Sequence, residues 1–562
     1  MNLKYYAFLL IGSIILSFLL YANTIKGEFV YDDHVFVNVE EFKKPGGVLL
    51  TLKDPYFISK TTTDNATMRP LTSFTFALNF ALFGKSAASF HIVNILLNGF
   101  ASFLVFIVVY LLFRNKRLSF ISALLFLFLP IHTEAVASIK ARDEILSAIF
   151  ILLSWILFIK ATYFSKVRWL YLGLSAFVFS LAVFSKEFAI TAPFLFLFVF
   201  YIQHRPRIKK IIKIFSVFLP AYFFYLYLAG ELLIKIALGK GSGYFIVNPL
   251  LGSDYIIRFW TAFKIAFLYI SKTVFPINLS ASYDYNQLTL VSNPLNSWAT
   301  ILGIFLLGLL LIIMFYKKTV STPIGIGAAI FLISYVIYSK FIVVGGQIMA
   351  ERWVYFASIG ICLLMAVFIE VIYKRNKISA ILLLIVILSM YSIIIIQRNT
   401  VWLNEKTLFE SMVNTSPNSI VGHKMLSFSY LRERDYERAL PHIEESMRIY
   451  IGYEMIGPMI DLLSSYDSKN QTLGRVIVKR GGGEVNSKLL ALSLAKDRKY
   501  EQSLKVLDDL IKTKPEWENS PIALFTYGIN YYKLGQLDQA EKYFQWVPGE
   551  NKDDKIKYLE AF

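Results

Sequence analysis

The sequence is short of three things. It has one cysteine, Cys362, inside an apolar run. No disulfide can form within the chain, and no cysteine-built metal site is possible. Charge is scarce: 17% of residues are Asp, Glu, Lys or Arg, against about 25% in ordinary soluble domains. No Gly-rich phosphate loop, HExxH or GxSxG occurs, which disfavours nucleotide-driven chemistry and hydrolase triads. What is abundant is apolar. The chain is 56% hydrophobic and 16% aromatic, the composition of an integral membrane protein. The net charge of +18 points only weakly to nucleic acid. Many of the Lys and Arg residues sit in short loops between apolar runs, where they mark the cytoplasmic side.

Apolar windows cover residues 5–22, 91–113, 118–131, 145–160, 169–184, 188–203, 211–230, 259–276, 298–316, 322–343, 354–373 and 378–397. A full span needs about 20 residues, fewer near an interface. The first window lacks a small-residue cleavage site after Tyr21 and reads as a retained signal anchor. The basic loops "RNKR" (114–117), "KVR" (166–168), "HRPRIKK" (204–210), "YKK" (316–318) and "YKRNK" (373–377) belong inside. All five fit only if one later window does not cross. That window is 259–276, which carries Lys264 and Lys272, two cations expensive in lipid. It suits a helix lying at the interface or lining a cavity. The sequence thus predicts an all-α polytopic membrane part, residues 1–397, with about eleven spans.

Residues 398–562 are mixed, charged and helix-periodic. "YLRERDYERALPHIEESMRIY" (430–450), "LAKDRKYEQSLKVLDDLIKTKP" (494–515) and "YYKLGQLDQAEKYF" (531–544) share one pattern, with Ala439, Ser503 and Ala540 at its small position. Their separations, 64 and 37 residues, approach two and one periods of the tetratricopeptide repeat, about 34 residues. A degenerate repeat is expected over 451–482. The plainer reading is a generic helical bundle. Stacked repeats bind peptides or proteins on a concave face, so this part is expected to recruit rather than to catalyse.

With this topology five charged stretches converge on the outer face: "YDDH" (31–34), "MRPLTSFTFALNF" (68–80), "HTEAVASIKARDE" (132–144), "SKEFAIT" (185–191) and "MAERWVYFAS" (349–358). The candidate residues are Asp32, Asp33, Arg69, His132, Glu134, Arg142, Lys186, Glu187, Glu351 and Arg352. Each has a bland reading. Carboxylates at helix ends can simply be hydrated, Lys186 can pair with Glu187, and Arg352 with Glu351. His132 and His91 can be interfacial caps. Convergence on one rim favours a site. A rim carboxylate can act as general base toward a hydroxyl. Cations there, including Lys264 and Lys272 at the interface, can hold a phosphate whose lipid tail stays in the bilayer. The helix start after Glu351–Arg352 also favours phosphate. Base and phosphate clamp together describe sugar transfer from a lipid-phosphate donor by a single displacement with inversion.

The stretches "FVYDDHVFVNVE", "RPLTSFTFALN", "FHIVNILLN", "PIHTEAVASIKARDE", "SKEFAIT" and "ERWVYFASIGICLL" resemble, in order, the transmembrane and tetratricopeptide-repeat O-mannosyltransferases. The resemblance implies the GT-C glycosyltransferase fold, a polyprenyl- or dolichyl-phosphate sugar donor and a Ser or Thr acceptor on a protein. It places the acidic pair on Asp32 and Asp33, with the base on Asp32. It also places the arginine before the tenth span on Arg352 and the external acidic residue on Glu134. The residues alone do not separate Asp32 from Asp33. "KARDE" departs from the Gly-Arg-Ala/Asp-Glu-like run expected there, and the repeat region is short. Sugar and acceptor identity, and any role for a divalent cation, stay open.

The expected protein is an integral one, of a prokaryotic inner or cytoplasmic membrane, with site and repeats extracytoplasmic. Its partners are the lipid-linked donor, a protein acceptor and membrane lipid, with no nucleic acid. Competing readings are a transferase acting on a lipid or envelope glycan, a non-enzymatic repeat scaffold and a transporter. A scaffold leaves the rim carboxylates unexplained. A transporter predicts mid-span charges and internal symmetry, and the sequence has mainly rim charges.

Overall fold

The computed structural model describes residues 3–34, 39, 47–54, 68–163, 167–237, 247–285, 287–433, 435–449, 491, 494–495, 498–513, 515 and 521–544. The described residues are helical, with one isolated bridge between Tyr283 and Met349 and no strand. The chain divides into two compact units, one of residues 1–283 and 289–408, the other of residues 284–288 and 409–562.

In the first unit every apolar window carries a helix. Among the described residues six helices are long and apolar enough to cross a membrane: Leu3–Lys26, Ala87–Phe113, Arg142–Thr162, Glu187–His204, Trp298–Phe315 and Lys377–Val401. The number rises to eight if two pairs bent by 50° and 45°, at Leu129 and near Phe215, each count as one span. This is fewer than the eleven expected. The window 322–343 is helical only over Pro323–Tyr335 and then opens into a loop holding the buried Lys340. The helix Ser358–Arg375 ends in Glu370, Lys374 and Arg375. Tyr255–Val274, set apart on charge, is a helix but not among the six.

Local chemistry ends these helices where the sequence turns basic. Asn115 accepts from the N–H groups of Arg117 and Leu118, and Asn376 from that of Ser379, each satisfying a free helix donor. Arg114 and Arg205 close their helices with φ of 54° and 48°, placing a cation at each negative C-terminus.

Packing in the first unit uses small and amide side chains. Gly360 and Gly327 face each other across the helices Ser358–Arg375 and Pro323–Tyr335. A methyl on Gly327 would lie 3.0 Å from the Gly360 carbonyl oxygen. Close backbone approach of this kind is how membrane helices gain contact. In Ala87–Phe113, His91, Asn94 and Asn98 fall on one buried stripe. Asn98 donates to Ser17 at 3.1 Å and accepts from Tyr355 at 2.7 Å, which ties three helical segments together.

The second unit pairs neighbouring helices: Ile420–Arg432 with Tyr436–Ile449, Tyr500–Thr513 with Pro521–Lys533, and the latter with Leu537–Phe544. Ala439, Ser503 and Ala540, the small residues of the pattern, are all buried. Ser503 donates to the Ala491 carbonyl at 2.6 Å and accepts from Asn530 at 2.8 Å. The expected repeat over 451–482 lies outside the described residues, as does Lys166 of "KVR".

Candidate active site

The first long helix ends in a turn, Ala22–Lys26, and the chain leaves it extended. Tyr31 has φ of 52°, which turns the backbone so that the next two carboxylates take different surroundings. Asp33 is fully buried. Its Oδ1 accepts the Lys140 main-chain N–H at 2.7 Å and the Ser138 hydroxyl at 3.4 Å, and its Oδ2 accepts the Val30 N–H at 3.1 Å. Burial pushes the Asp33 carboxyl up to about 6. The Lys140 and Val30 N–H donors resist that rise, and the neighbouring Asp32 charge adds to it. The Asp32 side chain keeps 34% of its surface open, and its Oδ2 lies 3.3 Å from Lys140 Nζ. One short loop, Ser138–Lys140, therefore touches both aspartates.

A second group sits at the start of the helix Arg142–Thr162. Arg69, immediately before the helix Pro70–Phe83, grips both oxygens of Glu187, at 3.1 and 2.8 Å, and Asp143 at 2.5 Å. Lys186 lies 3.2 Å from Asp143 and 2.6 Å from Glu144, all three nearly inaccessible. Burial works against the Arg69 charge, but Glu187 and Asp143 outweigh it and hold the guanidinium well above its ordinary range. Such charges are stable in an apolar setting only when paired.

The third group comes from the segment before Ser358–Arg375. Arg352 donates its main-chain N–H to Glu134 Oε2 at 2.9 Å, its guanidinium to Glu134 Oε1 and a second nitrogen to Gln347 at 2.9 Å. Burial disfavours the Arg352 cation. Glu134 first, then Asp32, Glu144 and Asp143 raise its pKa above the usual value. The three groups thus act on one another electrostatically, although they come from five stretches of sequence.

Both local-pair readings give way to longer-range partners. Lys186 pairs with Asp143 and Glu144, while Glu187 pairs with Arg69. Glu351 pairs with Arg398 at 2.8 Å and accepts from Ser280 and Tyr283. His132 is not a surface cap. It is buried against Phe126 and Tyr355, with Nε2 2.9 Å from Ser358 Oγ. That hydroxyl donates to the Tyr355 carbonyl, so the network assigns the Nε2 proton to His132.

Three cations grouped by sequence with the donor phosphate lie elsewhere. Arg142 is fully buried over the rings of Phe76 and Phe90, donating to Asn94, Asn79 and the carbonyls of Thr75 and Phe90. Helix periodicity turns it about 100° away from Asp143. Lys264 bonds the carbonyl and hydroxyl of Thr289. Lys272 bonds the Ile277 and Asn278 carbonyls just past its own helix. Conversely, Lys140, Asp143, Glu144 and Arg398 join the network without having been singled out. Lys140, Asp143 and Glu144 lie inside the quoted stretch 132–144, which does not tell facing residues from neighbours, and Arg398 follows the last apolar window with no motif to mark it. Among the described residues no cluster of three His, Cys, Asp or Glu side chains is arranged to hold a metal.

One open and several buried carboxylates thus lie beside paired cations in the first unit. Comparison with known proteins gives the class: residues 65–229 match the family model of dolichyl-phosphate-mannose-protein mannosyltransferases. More particularly, the chain is 25% identical over 501 residues to the human protein O-mannosyl-transferase TMTC3, covering 80% of this chain and 52% of that protein. It is 26% identical to human TMTC1, over 77% of this chain and 54% of that protein. Over a shorter stretch, 27% of this chain and 22% of the relative, it is 33% identical to mouse TMTC4. The resemblance to the TMTC-like O-mannosyltransferases of the GT-C superfamily thus holds on both comparisons. The chain spans about half the length of the first two relatives. All three are animal proteins and lend no support to a prokaryotic membrane. No solved structure matches.

Proposed function

We propose that the chain transfers mannose, with inversion, from a polyprenyl-phosphate donor to Ser or Thr hydroxyls of proteins on the extracytoplasmic side of its membrane. Residues 1–397 form the transferase, and residues 398–562 form tetratricopeptide-type repeats that receive the acceptor or a partner. Asp32 takes the hydroxyl proton. Asp33 holds the Ser138–Lys140 loop and the Val30 turn around it. Arg352 and Lys186 face the donor phosphate, the first positioned by Glu134 and the second by Asp143 and Glu144, with Arg69 and Glu187 bracing Asp143. Arg142, Lys264 and Lys272 bond amides, a hydroxyl and main-chain carbonyls rather than the rim carboxylates and are left out of the donor site.

The observation that carries this reading is the division of labour between Asp32 and Asp33. One carboxylate is open beside a cation and the other is sealed and fully hydrogen-bonded. A base must meet a hydroxyl from water and so cannot be sealed. It is also held at the end of a membrane helix, where the donor's tail stays in lipid and geometry can lower the barrier.

The test is transfer by purified chain from mannosyl-phosphoryl-polyprenol to a Ser/Thr-rich peptide. Asp32→Asn should cut turnover by about 10²–10⁴-fold while donor binding persists. Normal turnover in Asp32→Asn with loss in Asp33→Asn would reverse the assignment. Activity in both variants would overturn the catalytic reading. Mannose delivered to lipid rather than peptide would favour the envelope-glycan reading.

A further inference from the structure

Lys140 is the residue of the rim that sequence motifs did not single out and the reaction scheme does not yet use. Its main chain and its side chain do separate things. The main-chain N–H donates to buried Asp33 at 2.7 Å. The ammonium lies 3.3 Å from the open carboxylate of Asp32. The side chain is itself mostly covered, at 15% exposure. A surface ion pair with such spacing is worth little for stability. A half-buried one beside a proposed base holds a cation at hydrogen-bond distance from the oxygen that would take the proton.

We propose that Lys140 carries the compensating positive charge of the transfer, pairing with Asp32 before the reaction and with the departing lipid phosphate after it. This rests on the function proposed above. In the step, the acceptor O–H proton moves to Asp32, and the acceptor oxygen forms a bond to the anomeric carbon. The bond from that carbon to the phosphate oxygen breaks, and its electron pair leaves with the phosphate. Asp32 thereby loses one negative charge and the phosphate gains one. Lys140 keeps all its protons. Attacking and leaving oxygens lie on opposite sides of one carbon in such a displacement. A cation on a long flexible stem can follow the charge from one to the other, where Arg69, held by three carboxylate contacts, cannot. Stabilising charge as it develops is where an electrostatic contact accelerates a step.

The other charged groups near Asp32 do not duplicate this role. Asp33 has the same sign. His34 pairs with Glu405 at 3.3 Å. Arg352 acts on Asp32 through space but is fixed on Glu134 and Gln347.

The experiment compares wild type, Lys140→Gln and Lys140→Arg, all purified full-length, with mannosyl-phosphoryl-polyprenol and a Ser/Thr peptide. Any substitution keeps the main-chain N–H to Asp33, so the side chain alone is tested. Lys140→Gln should lower kcat by about tenfold or more with donor and peptide KM changed less than threefold, and Lys140→Arg should recover most of kcat; charge removal at a transition-state contact has this signature. Melting temperature should stay within a few degrees of wild type in both. Unchanged kcat in Lys140→Gln would overturn the proposal while leaving the function intact. So would a loss that Lys140→Arg fails to recover, or one confined to donor KM. Absence of transfer by wild type, with donor bound, would instead sink the function itself.

Discussion

Arg352 and Glu134 stand 218 residues apart in sequence and are joined by both the main chain and the side chain of the arginine. Removing the arginine would leave Glu134 buried without its cation, a change that costs about 3–5 kcal/mol in such settings. Arg352→Ala is therefore expected to melt earlier as well as to lose activity. Arg352→Lys keeps the charge and the main-chain bond but loses the planar fork. It should raise donor KM several-fold and leave acceptor KM unchanged. Initial rates at varied donor and fixed peptide, then the reverse, measure both. A change confined to the acceptor would assign Arg352 to the acceptor channel.

Asp33 gives the chain a pH-dependent stability of definite sign. Burial raises its carboxyl from the ordinary 3.8 to about 6. A group raised on folding contributes stability that is full below the unfolded value and is lost as pH rises through the folded one. Melting temperature in detergent should accordingly fall between about pH 4 and pH 6 by more in wild type than in Asp33→Asn. Parallel curves for the two proteins would mean that Asp33 is ionised throughout, held by its three donors.

The Gly327–Gly360 contact predicts a sharp positional contrast. Gly360→Ala would press a methyl against the Gly327 carbonyl and the Phe331 backbone nitrogen. Overpacking of this kind costs about 1–3 kcal/mol. Gly308→Ala, where a methyl meets nothing within 4 Å, should be neutral or slightly stabilising, since alanine is the better helix former. Thermal melts of the two variants in one detergent make the comparison.

The sidedness of residues 398–562, proposed above as repeats, can be read chemically. Cys362 is buried, so a thiol introduced at exposed Lys499 has little background. Lys499→Cys in intact cells or spheroplasts should react with a membrane-impermeant maleimide. Reaction only after permeabilisation would place the repeats inside.

Much of the fold was legible because apolar length is a strong signal. Every apolar window carries a helix, and the small residues Ala439, Ser503 and Ala540 are buried between paired helices, as either a repeat or a plain helical bundle requires. The number of crossings was not, because charges near helix ends and breaks at Pro130 and Lys340 set where a span stops. The rim was legible as a set of motifs but not as a set of partners. In "KARDE" the sequence marked Arg142, yet one residue later the helix turns Asp143 toward Lys186 and Arg69 and leaves Arg142 among phenylalanines and asparagines. Adjacent opposite charges, Lys186–Glu187 and Glu351–Arg352, suggested local pairs. Each of those four residues instead reaches a different distant segment, because side chains on consecutive residues diverge.

Those distances bear on how the protein is made. Arg69 is 118 residues from Glu187, Asp32 is 108 from Lys140, and Glu351 pairs with Arg398 of the helix Lys377–Val401. Chains grow from the N-terminus, so Glu134 emerges long before Arg352 and Glu351 before Arg398. A chain stalled ahead of Lys377 can hold most of its apolar helices and still lack the Glu351–Arg398 pair, so this part of the rim closes only when the helix Lys377–Val401 has been made.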